Sequence, residues 1–396
     1  MNDLYKSILF GMFLHASTLY AITLDEVIAD ALEKNPSLES ISHRISANKS
    51  NIDVSNQFSN PEISYTDNTI DENQAMSQRT ISVKQKLPYF GKRESMQKVA
   101  RAQEGVLQEN LEQARASLVN AIKIQAYNVW ELENLYKIIC DYEDLTRQNI
   151  NLFESYSMTS DDQHMGIMSA ELTLSDLRIQ KSALNAQINS AYARLSYLAA
   201  FEVRGLILNL EVEDMQGSAE MEKGLQNNHN ITLKEKEVQK IQASAETAEL
   251  NNYPDLSLIG GYSYRKNFDN YWTFGLGLSL PIYGTEDYKE EEVRKLVLSA
   301  QSLKEDTKKA VSAEFQSAYS QMKSAYETYH IVHDEALPQV AHMFELTSSS
   351  ISTGGDLFKY IGILVQKLQL EQKSIAAVSS YNKAKAKISE LSGELQ

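Results

Sequence analysis

The feature of this 396-residue chain that most restricts its fold is a proline-containing corner that occurs twice. The sequence LPYFGK begins at Leu87, and LPIYG begins at Leu280, which is 193 residues later. Upstream, NPEISY and YPDLSL place Pro61 and Pro254 at the same separation. Similarity at one fixed offset indicates two halves that share a structural plan. We therefore predict an internal two-fold repeat.

Each predicted repeat contains a helix, a strand hairpin and a helical hairpin. The chain has only 6 prolines and 16 glycines, and four of the prolines lie in the corners. Because these residues usually interrupt helices and strands, their scarcity indicates long elements and a mainly α fold with a small β part. The predicted bounds are 22–205 for the first repeat, with strands in 61–87 and helices in 92–200, and 206–396 for the second, with strands in 254–280 and helices in 285–395.

Several helix boundaries follow from local motifs. The sequence TLDE at 23–26 fits a capping box, and the Asn35-Pro36 pair indicates that the helix kinks or restarts there. In the second half, one helix is predicted over about 218–252 and another over about 287–346, because their apolar residues recur at helical spacings.

Composition and the first residues indicate the compartment. The net charge of −15 and a sequence pI near 5.0 argue against a nucleic-acid partner. The only cysteine, Cys140, cannot form an intramolecular disulfide. Residues 1–21 are predicted to be a signal peptide, since Lys6 precedes a short apolar stretch; a buried N-terminal helix is the alternative. No later run of about 18 apolar residues occurs, so a secreted chain could be soluble or could enter an outer membrane as strands.

The second strand pair has one apolar face and one small, polar face. In WTFGLGLSLP, Phe274, Leu276 and Leu278 alternate with threonine, glycine and serine. We predict that these three side chains contact lipid, while the opposite face lines a lumen. In the first half Gln85 interrupts the apolar face, which requires a position near an interface where its amide is hydrated. The alternative is a soluble α+β domain with two buried hairpins.

The corners are predicted to join helices to membrane strands. Proline ends the helix or strand that precedes it and fixes its own φ, and glycine permits the turn that follows. The adjacent aromatic rings are typical of a membrane boundary. Four strands are too few for a closed barrel, which needs about eight, so several copies would have to complete it. The predicted corner residues are Pro61, Pro88, Gly91, Pro254, Pro281 and Gly284.

The chain resembles the TolC-like outer-membrane factors. The resemblance rests on ITLDEVIADALEKNPSL near the start, on QKLPYFGKR and LSLPIYG at the two strand-to-helix corners, and on LPQVAHMFELTSSSISTGGDL near the second helical tip. It covers essentially all of 22–396. It implies a homotrimer in which four strands per subunit form one transmembrane β-barrel above a periplasmic α-barrel of long helical hairpins. It also implies docking to a periplasmic adaptor (membrane fusion) protein and an inner-membrane pump, with efflux or type I secretion as the activity.

Two sets of tip residues are predicted to act in docking and ion selection. Glycines at a helical turn can leave bare backbone for close contact, although they also occur in plain interhelical turns. Acidic residues repeated around a threefold axis could form an entrance ring, or could be solvated loop acids. Where the family often has an aspartate shortly after the tip glycine, this chain has Ile361. The predicted docking residues are Ser352, Thr353, Gly354 and Gly355, and the predicted acidic ring is Asp161, Asp162 and Asp356.

No metal site, cofactor or enzymatic activity is predicted. The GKR sequence and compact length resemble the heavy-metal, CzcC-like branch of the family, and near the first tip Met158, His164, Met165 and Met168 could pass on a soft metal ion. Without fixed spacing they are more typical of a loop. HIVHDE at 330–335 lacks the HExxH arrangement. The sequence leaves the cargo open among metal ions, drugs and secreted protein. The alternative function is a structural periplasmic coiled-coil tether or adaptor.

Overall fold

A computed structural model of the protein describes residues 22–68, 76–156, 161–351 and 356–394. The predicted signal peptide and the predicted docking residues 352–355 lie outside the described residues. The described chain consists mainly of long helices with one four-stranded sheet, which confirms the predicted mainly α fold class. None of the described helices is both long and apolar enough to cross a membrane.

The first half of the chain contains four helices and three strands among the described residues. Its elements are β1 (Ile22–Thr23), α1 (Leu24–Lys34), α2 (Pro36–Ser55), β2 (Glu62–Asp67), β3 (Gln78–Leu87), α3 (Lys92–Tyr156) and α4 (Asp161–Ala199). The capping box at Thr23 and Glu26 is present, and Asn35 both ends α1 and caps α2 through its side chain. With 65 residues, α3 is about 98 Å long at 1.5 Å per residue.

The second half contains the corresponding helices and strands, with two interruptions. Its elements are β4 (Leu206–Ile207), α5 (Ser218–Glu222), α6 (His229–Leu250), β5 (Asp255–Arg265), β6 (Tyr271–Ser279), α7 (Thr285–His330), α8 (Leu337–Ile351) and α9 (Leu357–Leu391). The parallel pairing of β1 with β4 joins the two halves and was not predicted from the sequence.

Two helices that the sequence predicts as continuous are interrupted. The predicted helix over 218–252 passes through a 3₁₀ turn, and α6 begins only after Asn228. The Asn228 side chain accepts from Asn230 N and Ile231 N, since asparagine competes with helix hydrogen bonding and favours a cap. Between α7 and α8, a π-helix spans Ile331–Ala336. It lies just before Pro338, which lacks the N–H that a regular helix needs.

Strands and helices form two rows in the same order. The sheet order is β2-β3-β5-β6, and every neighbouring pair is antiparallel. In the helical row, α3 packs against α2 and α6, and α6 packs against α7. The chain connects each strand directly to the helix at the corresponding position of the helical row: β2 to α2, β3 to α3, β5 to α6 and β6 to α7. Both rows are therefore open at their two ends, β2 with α2 at one end and β6 with α7 at the other.

The far end of the molecule is held by a separate apolar core. Here α3 packs against α4 and α9 through a buried cluster that includes Ile139, Phe153, Leu177, Leu357 and Leu364. This core holds the first turns of α4 and α9 close to the end of α3, so the two predicted tips are brought to the same end of the molecule.

Candidate functional site

The sheet has one continuous apolar face that no described residue covers. The register pairs Leu278 with Leu256 and Leu276 with Leu258, so these side chains share a face. The next pairs along this face are Phe274 with Gly260 and Trp272 with Tyr262. Phe274 is 83% exposed, Leu276 76% and Leu278 57%. The three predicted lipid-contacting residues therefore lie together on an exposed apolar surface; contact with lipid itself stays a prediction.

The first hairpin continues this surface. Val83 lies opposite Gly260 and Ile81 lies opposite Tyr262, and Ile63 and Tyr65 extend the face to the edge strand β2. Gln85 interrupts it as expected from the sequence, and its amide nitrogen donates to the carbonyl oxygens of Ser59 and Lys86. The amide is satisfied by backbone at the corner end of the sheet.

The opposite face of the sheet is small and polar. The hydroxyls of Ser64 and Ser82 are hydrogen-bonded at 2.7 Å, and those of Thr80 and Ser263 at 2.8 Å. A Cβ added at Gly275 would lie at an ordinary 3.6 Å from the Cβ of Ile259, so the face has room for a small side chain there. Such a face can contact water, which is the property the predicted lumen requires.

The first corner is fixed by a buried cation that sequence reasoning did not single out. Lys92 donates from Nζ to Asp255 Oδ1 at 2.7 Å and to the carbonyl oxygen of Tyr253 at 2.8 Å. The same carboxylate oxygen accepts from the backbone N–H of Tyr89. The rings of Tyr89 and Tyr253 stack, with centroids 4.6 Å apart. These contacts join the corner at Pro88 to the corner at Pro254. They hold the end of β3 and the start of β5 against the first turn of α3.

The corner glycines have the backbone conformation that the turn requires. Gly91 has φ +88° and Gly284 has φ +70°, in the left-handed region that favours glycine. Large apolar side chains next to them are exposed, including Phe90, Ile282 and Tyr283. The corners therefore expose large apolar side chains where β3 and β6 end, next to the apolar face of the sheet.

At the tips, the structure describes the side chain of only one of the three predicted acidic residues. Asp356 caps α9, since its Oδ1 accepts from Lys359 N at 3.2 Å, a helix-capping role that the sequence analysis had not assigned. Asp161 and Asp162 begin α4, and their side chains lie outside the described residues. Gly166 is packed so closely that an added Cβ would lie 3.0 Å from the Leu357 Cβ. Ile361 is buried in the apolar core.

Both sides of the helical array carry exposed apolar stripes. On α4 the exposed residues recur at helical spacing, and α7 and α8 carry a second set on the other side of the array. The residues on α4 are Met165, Met168, Leu172 and Ile179, and those on α7 and α8 are Leu296, Leu298, Leu303, Met343 and Leu346. Exposed apolar side chains that recur along a helix, as they do on α4, often mark an interface.

One buried carboxylate organises the contact between α3 and α4. Glu143 is 5% exposed and accepts from Lys181 Nζ at 2.8 Å and Arg147 Nη2 at 2.5 Å, with Arg178 Nε at 3.4 Å. Hydrogen bonding to Lys181 holds the pKa of Glu143 below the ordinary glutamate range. This cluster could not be predicted from the sequence, because Lys181 and Arg178 approach Glu143 only after the hairpin folds.

The candidate metal ligands do not form a described site. His164, Met165 and Met168 are exposed on the first turns of α4, and Met158 lies outside the described residues. His330 Nδ1 is hydrogen-bonded to Asp334 Oδ2 at 2.7 Å, and the His333 ring stacks on Tyr329. Among the described residues, no group of three or more His, Cys, Asp or Glu side chains could hold a metal ion.

No protein-family model and no curated protein matches the chain. Solved structures do match. The MtrE outer membrane channel of Neisseria gonorrhoeae, in its open state, aligns with a TM-score of 0.81 at 15% identity over 94% of this chain and 89% of that chain. CusC, whose crystal structures concern folding and transmembrane channel formation, aligns with a TM-score of 0.79 at 14% identity over 94% and 92%.

The outer membrane protein VceC of Vibrio cholerae aligns with a TM-score of 0.77 at 13% identity, over 94% of this chain and 96% of that chain. At these identities the likeness concerns the fold. This chain has the fold of these outer-membrane channels, as its resemblance to the TolC-like outer-membrane factors predicts.

Proposed function

We propose that this protein is the outer-membrane exit duct of a tripartite efflux or type I secretion system. The observation that carries the proposal is the single sheet with a continuous exposed apolar face, joined through proline corners to helices as long as α3. A soluble protein would have to bury that face, whereas a strand segment in an outer membrane would expose it to lipid. The likeness to outer-membrane channels supports the same assignment.

The duct is completed by copies of the same chain. A strand edge cannot remain unpaired in lipid, because its backbone groups would lack hydrogen-bond partners. The sheet has unpaired edges at β2 and β6. Three copies with four strands each would exceed the about eight strands of the smallest transmembrane barrels. The exposed stripes on α4, α7 and α8 would be covered by the same association, which encloses a periplasmic α-barrel under the β-barrel. The two repeats, 22–205 and 206–396, each contribute half of a subunit's wall.

The partners of the duct are a periplasmic adaptor protein and an inner-membrane pump. The tip residues Ser352, Thr353, Gly354 and Gly355 dock the adaptor, and the acids Asp161, Asp162 and Asp356 face the entrance. The described tips lie at the end of the molecule opposite the sheet, which is the end an adaptor would reach across the periplasm. The protein acts as a passive conduit with no catalysis of its own and no cofactor.

Subcellular fractionation tests the proposal against the alternative of a periplasmic tether or adaptor. We expect the mature chain in the outer-membrane fraction, as a trimer that resists dissociation in detergent until heated. A soluble periplasmic monomer would exclude the duct and favour the tether. The tether has no use for an exposed apolar sheet face, so the same experiment also tests the observation on which the proposal depends.

A further inference from the structure

A groove lies beneath the first corner, between the end of α2 and the first turns of α3. Its wall is apolar near the sheet, and charged groups lie at the beginning of α3. The residues that matter here are Phe58, Leu87, Phe90, Arg93, Glu94 and Leu256. Phe90 is 90% exposed and Phe58 is 50% exposed, so the apolar wall is accessible along the described chain.

The groove is continuous with the apolar face of the sheet. Leu87 pairs with Leu256 at the last position of β3, and Leu256 pairs with Leu278 on the exposed apolar face. The groove therefore opens on the same side as the surface assigned to lipid, at the level where strands give way to helices. In a membrane-inserted protein this level is the headgroup region, where charged and aromatic side chains meet both phases.

Two contacts hold the guanidinium of Arg93, which lines the groove. Its guanidinium carbon lies 3.6 Å from the centroid of the Phe58 ring, and its Nη1 donates to the carbonyl oxygen of Asn56 at 2.8 Å. No other hydrogen bond joins this guanidinium to the described residues. The neighbouring ammonium of Lys92, by contrast, is committed to Asp255 and Tyr253. The remaining N–H groups of the Arg93 guanidinium can therefore donate to a phosphate, whose oxygens match their paired geometry.

We propose that this groove binds one aminophospholipid, with the headgroup phosphate on Arg93, the ammonium near Glu94 and an acyl chain along Leu87, Phe90 and Leu256. The occupant follows from charge complementarity, since a cation and an anion both line the groove at the headgroup level, and from continuity with the apolar face. A zwitterionic ethanolamine headgroup matches this pair, whereas an anionic glycerol headgroup would place no positive charge near Glu94. This inference rests on the proposed function, because only the membrane location places the groove at the level of the lipid headgroups.

Native mass spectrometry of the detergent-purified protein can test the site directly. Phosphatidylethanolamine is added to the wild-type protein and to Arg93→Gln, Arg93→Lys and Phe90→Ala variants. Loss of a charged hydrogen bond to phosphate should weaken binding about tenfold in Arg93→Gln, with partial recovery in Arg93→Lys. Phe90→Ala should also weaken binding, and because this side chain is exposed its removal leaves the core unchanged. Arg101→Gln, an exposed arginine farther along α3, is the matched control and should bind like wild type.

Two further arms identify the ligand. Phosphatidylglycerol should bind more weakly than phosphatidylethanolamine, and Glu94→Gln should reduce that difference. Excess inorganic phosphate should not displace the lipid, because it lacks the acyl contacts; displacement would mean that the groove binds free phosphate only. Equal lipid occupancy in wild type and Arg93→Gln would overturn the proposal even if fractionation places the protein in the outer membrane. Arg93-dependent binding by a protein absent from that membrane would refute the duct and leave the lipid site standing.

Discussion

The ion pair between the buried Lys92 and the partly exposed Asp255 gives an asymmetric prediction about the first corner. The Lys92 side chain is 5% exposed and the Asp255 side chain is 43% exposed. Asp255→Ala would leave a buried ammonium with only the carbonyl of Tyr253, and removing the partner of a buried charge costs about 2 to 4 kcal/mol. Lys92→Met would leave a half-hydrated carboxylate that still accepts from Tyr89, at a cost of about 1 kcal/mol. We expect Asp255→Ala to be the more harmful change.

The assay is the midpoint of thermal unfolding of the purified protein in detergent, followed by circular dichroism. The matched control is Lys34→Met, which removes an exposed i,i+4 ion pair with Asp30 that is worth less than about 0.5 kcal/mol. The double variant Lys92→Met with Asp255→Ala should be less destabilised than the sum of the single changes, because it leaves no buried charge. If both single variants match the control, or if Lys92→Met is the worse of the two, the corner is not held by this pair.

Three further predictions concern the sheet, the helical hairpin and the tips. A membrane-impermeant thiol reagent should label Gly275→Cys and not Leu276→Cys in a Cys140→Ser background; the reverse would shift the register by one residue. The folded-state pKa of Glu143 lies below its ordinary value of 4.5, so its stabilising contribution is present above pH 4.5 and is lost as the pH falls through the lowered pKa. Glu143→Gln should therefore make the midpoint of thermal unfolding less dependent on pH in this acid range. If the pH dependence is unchanged in this variant, Glu143 is not its source. Replacing Asp161, Asp162 and Asp356 by asparagine should reduce cation preference in planar-bilayer recordings about severalfold while keeping the α9 cap, since asparagine caps as well as aspartate; unchanged selectivity would identify them as ordinary solvated acids.

The long elements and the face of the sheet could be predicted because they depend on periodicity in one segment. Alternation in β6 assigns Phe274, Leu276 and Leu278 to one face regardless of the partner strand. The corners were predictable for a similar reason, since proline and glycine restrict the backbone at their own positions. The break at Asn228 was missed because an asparagine cap resembles an ordinary polar helix position in sequence. The π-helix was missed because the apolar residues from Val311 to Val332 keep helical spacings into it, so the sequence predicts one continuous helix.

The contacts that fix the candidate site could not be predicted, because they join residues far apart in the chain. Lys92 meets Asp255 only when β3 pairs with β5, and the sequence offered no reason to pair those two strands. Glu143 meets Lys181 only across the α3–α4 hairpin. Asp356 was assigned to an entrance ring, although its position directly before α9 also suits a helix cap.

Disulfide cross-linking can test whether copies of this chain close the sheet into a barrel. Within one chain β2 and β6 are separated by β3 and β5, a distance of about 14 Å at the usual strand spacing, so a cysteine in each cannot be joined without a second copy. We would combine Ser64→Cys with Thr273→Cys, Gly275→Cys or Gly277→Cys in the Cys140→Ser background. We expect at least one combination to give covalent species of two and three chains and none larger. Absence of cross-links in all three, or a ladder extending beyond three chains, would contradict it.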